Sequence, residues 1–123
     1  MASIMNLHLA YRLWIAAMNA DINVLRIFDD YLKELNVKNK KSSVLKGIES
    51  YKTQFANLRK EIDELRHVMH LNKMELAASG KTQNEPIEDI EKEIHHKEIE
   101  ARYNAFRKTF DKTKKEFQQF IDS

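Results

Sequence analysis

The chain has 123 residues, with 21 Lys and Arg against 19 Asp and Glu, and with only two Gly, one Pro and no Cys. The scarcity of Gly and Pro argues against a loop-rich enzyme fold or a β-sandwich, whereas a charged fraction of 33% is typical of long helices. The lack of Cys excludes disulfides, thiolate zinc sites, iron–sulfur clusters and cysteine nucleophiles. A net charge of +2 argues against nucleic acid or an anionic membrane as a partner. We therefore predict one all-α domain spanning 1–123.

The first predicted helix runs from about residue 3 to residue 35. Its apolar residues recur at alternating spacings of three and four, which is a heptad seam, and Asp21 takes one seam position. The seam comprises Ile4, Leu7, Tyr11, Trp14, Met18, Leu25, Phe28, Leu32 and Leu35. A second apolar stripe on another face comprises Leu9, Leu13, Ala16, Ala20, Val24, Ile27 and Tyr31. Because a helix that is apolar on two faces has more than one partner, we predict that this is the central helix.

The same segment is the most apolar part of the chain and could be mistaken for a membrane span or a secretory signal. Arg12 and Asp21 interrupt it, so no uncharged run reaches the roughly 20 residues that a membrane span requires. A signal peptide has a basic start before its apolar core, whereas the first charged residue here is Arg12. We therefore expect no membrane insertion and a buried helix of a cytoplasmic protein.

The second predicted helix runs from residue 42 to residue 79, after the polar stretch 36–41. Ser42 can cap its start, and Gly80 can end it in a left-handed conformation. Its apolar seam is narrow, and its opposite face is charged. The seam comprises Ile48, Tyr51, Phe55, Leu58, Ile62, Leu65, Met69 and Leu76, with Asn72 at the remaining position.

The third predicted helix runs from residue 84 to residue 121, with Pro86 in its first turn, where its missing N–H costs little. Its apolar pattern changes midway. One face carries Ile87, Ile90, Ile94, Ala101 and Ala105. A different face carries Ile99, Tyr103, Phe106, Phe110, Thr113, Phe117 and Phe120. Either this helix bends near residues 95–100, or its two halves face different neighbours.

Short connections make sequential helices antiparallel, so we predict an up-down-up three-helix bundle of long, coiled-coil-like helices. The doubly apolar first helix leaves room for completion of the bundle by dimerisation. Folding about residue 38 places residue n of the first helix near residue 77−n of the second helix. Folding about residue 82 places residue m of the second helix near residue 164−m of the third helix. This register gathers what we call the aromatic end: Phe28, Tyr31, Tyr51, Phe55, Phe106, Phe110, Phe117 and Phe120. We interpret the aromatic end as stabilising core.

The same register brings all five histidines to one level, which we call the histidine end. Glu64 with His67, and Glu93 with His96, have the Glu-x-x-His spacing that ferritin-like metal sites use. The candidate metal ligands are His8, Glu64, His67, His70, Glu91, His95 and His96. Because Glu is abundant, the Glu-x-x-His spacing is also expected by chance, and we favour solvated or capping histidines over a metal site. The seams direct His67 outward and His95 toward the core, so we expect His95 to be partly buried and His67 to be exposed.

Asp21 occupies a seam position, where an unpaired carboxylate would be costly. Its level matches residues 56 and 108, so the predicted partner is Arg59 or Lys108 in an ion pair that fixes register. The alternative is a ligand or catalytic carboxylate. The basic residues near the aromatic end are diluted by acidic ones, which argues against a nucleic-acid interface. Two glycines cannot form a phosphate-binding loop, and neither Ser nor Thr has the context of an activated nucleophile.

Three sequence segments, LHLAYRLW, IDELRH and FDKTKKEFQQF, together resemble a group of small, uncharacterised bacterial all-helical proteins. The matching residues are Leu7, His8, Trp14, Asp63, Glu64, Leu65, His67, Phe110, Lys114, Lys115, Glu116 and Phe117. The likeness spans most of the chain. It implies a stand-alone all-α protein and brings no activity or ligand with it.

Two functions remain open at this point. The first is a non-enzymatic helical scaffold or protein-interaction module without a cofactor, whose partner is a second copy of itself or another protein. The seam periodicity and the absence of catalytic motifs favour it. The alternative is a histidine and carboxylate site for a divalent transition metal such as Fe or Zn, with redox or hydrolytic activity, at the histidine end.

Overall fold

The computed structural model describes residues 4–38, 41–78 and 90–123, with side chains over 6–38, 41–75 and 94–123. It consists of α1 (Ile4–Lys38), α2 (Ser42–Ala78) and α3 (Ile90–Asp122). Of the described residues, only Lys41 and Ser123 are outside a helix, and none forms a strand. The prediction of an all-α three-helix protein is confirmed. The predicted start of the third helix at residues 84–89, with Pro86, lies outside the described residues, as does Gly80.

Each helix faces a common core with its apolar seam. Apolar side chains at helical spacing lie on one side of a helix, so packing that side against the other helices removes them from water. On α3 the seam that begins at Ile99 is the buried one, whereas Ile94 on the other predicted face is 51% exposed. α3 is one unbroken helix at residues 95–100. The most deeply buried side chains are Tyr11, Met18, Leu25, Phe55, Ile62, Leu65, Met69, Asn72 and Phe117.

α2 is the helix whose backbone lies close to both others, whereas the backbones of α1 and α3 approach closely at few points. Within one chain, the prediction of α1 as the central helix is therefore wrong. α1 and α3 run parallel and meet through long side chains, such as Phe28 against Phe117, whose ring centroids are 4.8 Å apart. Over the described residues, no helix combines the length and the apolarity that crossing a membrane requires.

The register between α2 and α3 is close to the predicted one, whereas that between α1 and α2 is shifted. Glu61 was expected opposite residue 103, and it accepts a hydrogen bond of 2.6 Å from the adjacent Arg102. Tyr11 was expected opposite Arg66 but contacts Asn72. The shift arises because α1 continues through Lys38, so the chain turns later than position 38.

Asp21 forms the predicted ion pair, but the predicted partners are wrong. Arg107, one residue before Lys108, donates to both carboxylate oxygens at 3.0 and 2.7 Å. The same guanidinium donates to the hydroxyl of Tyr103 at 3.2 Å. These hydrogen bonds, above all those to Asp21, raise the pKa of Arg107 above its ordinary value. The bidentate pair joins α1 to α3 and offsets the cost of burying Asp21, which is only 7% exposed.

Six of the eight rings predicted for the aromatic end form one cluster, whereas Phe106 contacts Phe110 and Tyr103 instead. The prediction is wrong for Phe106 and Phe110, and the aromatic end comprises the cluster around Phe117. The ring centroid of Phe117 lies 4.8 Å from that of Phe28, 5.2 Å from Tyr51, 5.0 Å from Phe55 and 6.4 Å from Phe120. Phe117 is fully buried. Because aromatic pairs at these distances add attraction to the burial of apolar area, this cluster holds all three helices together where α1 and α2 are joined.

Candidate functional site

A buried polar cluster lies toward the other end of the bundle and takes one residue from each helix: Tyr11, Asn72 and His96. The side-chain amide of Asn72 donates to the hydroxyl oxygen of Tyr11 at 2.7 Å. That oxygen lies 2.9 Å from Nδ1 of His96. All three residues are at most 9% exposed. In water-poor surroundings such hydrogen bonds are strong, and each group is costly if left without its partner.

The hydroxyl of Tyr11 keeps its proton within this cluster. Burial, with a further contribution from the charge of Glu100, raises the pKa of Tyr11 to about 12, although the hydrogen bond from Asn72 opposes the shift. The phenol is therefore protonated at neutral pH, and it donates to Nδ1 of His96 where that nitrogen carries no proton. In the neutral ring the remaining proton is then on Nε2, which lies 3.7 Å from Glu100. Both nitrogens of His96 thus face groups within the protein.

Trp14 covers this cluster on the α3 side. Its ring stacks on His96 with centroids 6.1 Å apart and on Tyr103 with centroids 5.0 Å apart. The indole excludes water from the imidazole and fixes the plane of the ring. The polar cluster therefore acts as a structural register between three helices, since no side chain in it presents a free reactive atom at the surface.

Two buried polar atoms at this end have no hydrogen-bond partner among the described residues: Nε2 of His8 and Oδ1 of Asn72. Burial lowers the pKa of His8, and the positive charge of Lys73 lowers it further. Both effects favour the uncharged imidazole. His8 is thus a neutral histidine at the margin of the core at neutral pH.

The predicted metal ligands lie in different surroundings in the described structure. His96, not His95, points into the bundle: His95 is exposed and His96 is 9% exposed. The expectation for His95 is wrong because the buried seam of α3 passes through the next residue, 100° further around the helix. His67 is exposed, as expected, and it lines with His70 a groove of about 470 Å³ between α1 and α2.

The carboxylates do not complete a metal site in the described part of the chain. Glu64 accepts a hydrogen bond of 2.7 Å from Arg102, and the side chain of Glu91 lies outside the described residues. In the groove with the histidines, Arg66 bridges Asp63 and Asn19 at 2.9 and 2.8 Å. No three described His, Asp or Glu side chains converge as metal ligands. The metal site stays a prediction, which elemental analysis of protein purified without a His-tag would test.

The second apolar stripe of α1, which we call the outer stripe, is exposed in the described structure. Leu9 is 55%, Leu13 60%, Ile27 65% and Tyr31 37% exposed. At 100° per residue, the outer stripe lies about 140° around α1 from the seam that faces the core. The remaining members are Ala16 and Ala20, which are exposed, and Val24, which is half-buried. Contiguous exposed apolar surface is a common feature of interaction sites.

One edge of the outer stripe is charged. Arg12 and Asp30 are both exposed and lie on the edge nearer α2. Neither forms an ion pair with another described side chain. A polar edge beside an apolar centre is the usual arrangement of a protein interface.

Sequence reasoning identified the outer stripe but missed the polar cluster. The signal available was Asn72, a polar residue within an otherwise apolar seam, together with Tyr11 and His96 near the same level.

Comparisons of this chain with protein-family models, with curated proteins and with solved structures find no match. The resemblance to small bacterial helical proteins therefore stays a prediction. The outer stripe is the feature of the described structure that best supports a function.

Proposed function

We propose that this chain is a cytoplasmic helical scaffold that acts as a protein-interaction module without catalytic activity, and that it binds through the outer stripe of α1. The observation that carries the proposal is the exposure of Leu13 and Ile27, at 60% and 65%, on one continuous face. Leucine and isoleucine side chains exposed in a row cost solvation free energy that a partner recovers by covering them.

The polar groups support a structural rather than a chemical use of the interior. Tyr11, Asn72 and His96 bond to one another, and Asp21 is engaged by Arg107. A catalytic acid or base needs an open position beside it for a substrate. The hydrogen bonds that these buried groups form are with neighbouring helices instead.

The experiment places a photo-reactive amino acid, benzoylphenylalanine, at position 13 in cells that produce this protein. Irradiation should yield a discrete adduct, identified by mass spectrometry, because position 13 faces the partner. The matched control carries the same residue at Lys114, an exposed polar position on α3. Adding Ile27→Glu, at another exposed stripe position, should lower the adduct yield at position 13 without unfolding the bundle.

Equal adduct yields at positions 13 and 114 would show that cross-linking is unspecific, and this would overturn the proposal. The absence of any adduct at position 13 would do the same. Circular dichroism of each variant verifies that the helices are retained.

A further inference from the structure

We propose that the partner covering the outer stripe is a second copy of this chain, packed with its α1 antiparallel to the first and with the two-fold axis at Ala20. This inference rests on the proposed function, since it names the occupant of the same face. It goes further in fixing the direction, the register and the charged pairs of the interface.

The spacing of the outer stripe is the first argument. Its positions 9, 13, 16, 20, 24, 27 and 31 are separated by four, three, four, four, three and four residues, which is the same order from either end. A two-fold interface must be complementary to itself, and an antiparallel helix pair meets this condition when its pattern reads equally in both directions. The facing pairs are Leu9 with Tyr31, Leu13 with Ile27, Ala16 with Val24, and Ala20 with its own copy.

The sizes of the side chains agree with this axis. Alanine at positions 16 and 20 lets the two backbones approach closely at the centre. Larger side chains at the two ends, from Leu9 to Tyr31, extend the contact over about 33 Å at the helical rise of 1.5 Å. Apolar burial along this length supplies the main driving force for association.

The charges on the stripe edge are the second argument. In an antiparallel pair the same edge of both helices comes together. Arg12 then lies near Asp30 of the partner subunit, about two residues along the helix from the position that it directly faces. Symmetry makes this contact twice. A parallel pair would instead place this charged edge against the half-buried edge that contains Ala10 and Ala17, where neither charge has a counterpart. Charge complementarity between Arg12 and Asp30 therefore favours the antiparallel direction.

Single-cysteine variants test the geometry without interference, because the chain contains no Cys. In Ala20→Cys the two thiols meet at the two-fold axis and should form an intermolecular disulfide under mild oxidation. In the matched control, Ala16→Cys, the two thiols are separated by eight residues along the axes, about 12 Å, which exceeds the Cα separation of about 7 Å that a disulfide tolerates. Mixing Ala16→Cys with Val24→Cys should form the mixed disulfide.

Sedimentation of the unmodified chain over a range of concentrations should show a reversible dimer. Arg12→Glu and Asp30→Arg should each raise the dissociation constant about tenfold, since each brings like charges together twice. Combining the two substitutions should restore the dissociation constant, because the pairs are re-formed with reversed sign. A double variant weaker than either single variant would overturn the assigned pairing.

Equal disulfide formation by Ala16→Cys and Ala20→Cys would indicate a parallel pair and overturn the antiparallel assignment. A monomer at all concentrations would overturn the second copy as occupant. In that case specific photo-adducts with a different protein at position 13 would leave the interaction module standing, and their absence would remove both proposals.

Discussion

The two ends of the bundle are stabilised by different kinds of interaction. At the aromatic end, Phe28, Tyr51, Phe55 and Phe120 surround Phe117 with ring contacts that require no particular donor or acceptor. At the other end, Tyr11, Asn72 and His96 are joined by hydrogen bonds of 2.7 and 2.9 Å. The first end is bound strongly and tolerates small shifts, whereas the second is satisfied by one arrangement only.

This difference indicates a division of roles. Apolar burial is roughly proportional to area and has no preferred direction. A slip of the helices by a fraction of a turn therefore changes its free energy less than that of a hydrogen bond. The polar cluster loses its partners on any such slip, and a buried donor without an acceptor is costly. We infer that apolar packing, including that of the aromatic end, supplies most of the stability and that the polar cluster, with the Asp21–Arg107 pair, sets the register.

The largest expected effect is at the aromatic end. Phe117→Ala should lower the free energy of unfolding by about 3–5 kcal/mol, because it opens a cavity among rings from three helices. Denaturant unfolding followed by circular dichroism measures the loss. Phe117→Leu retains apolar volume and should cost clearly less. Equal losses for the two variants would contradict a packing origin.

The ion pair lies between the two ends and should have the next largest effect. Asp21→Ala leaves Arg107, whose side chain is 28% exposed, without its carboxylate and should cost about 2–3 kcal/mol. The double variant with Asp21→Leu and Arg107→Met replaces both charges by apolar groups, so its free energy of unfolding should approach that of the unmodified chain. A double variant as unstable as Asp21→Ala would contradict a role that depends on the unpaired charge.

Removing one hydroxyl at the polar cluster should have a smaller effect. Tyr11→Phe leaves Asn72 and His96 without their shared partner and should cost about 1–3 kcal/mol. Tyr51→Phe is the matched control at the aromatic end, where that hydroxyl makes no hydrogen bond to another described residue; its effect should stay within about 0.5 kcal/mol. Equal costs for both variants would remove the distinction between the two ends.

The smallest expected effect is a dependence of the stability on pH, which arises at the histidine end. Because burial and Lys73 lower the pKa of His8 in the folded protein, the unfolded chain binds a proton more readily. The stability that His8 contributes is therefore complete above pH 6.5 and is lost as the pH falls through its folded pKa. Thermal melts at pH 8 and pH 5.5 should show the lower midpoint at pH 5.5.

His8→Asn should reduce the difference between the two pH values. His67→Asn removes an exposed histidine and serves as the control, in which the difference should persist. Equal midpoints at pH 8 and pH 5.5 for the unmodified chain would contradict the effect of His8.

Much of the fold follows from local sequence pattern. The spacing of apolar residues specifies which face of each helix is buried, because a helix repeats every 3.6 residues whatever surrounds it. This is why the seams through Leu25, Ile62 and Phe110 were predicted and are buried. Most of the aromatic end was also predictable, since short connections determine roughly which parts of sequential helices meet, although Phe106 and Phe110 lie outside the cluster.

The sequence by itself thus determined three helices and the buried seams of α1 and α2, but not the register between these two helices. Only the tertiary structure decided which neighbour at each level is used: Arg107 rather than Lys108 beside Asp21, and His96 rather than His95 inside the bundle. Adjacent residues on a helix differ by 100° in direction. Small changes in helix rotation and in the position of the turn between helices therefore exchange one partner for another, and these depend on packing between helices distant in sequence.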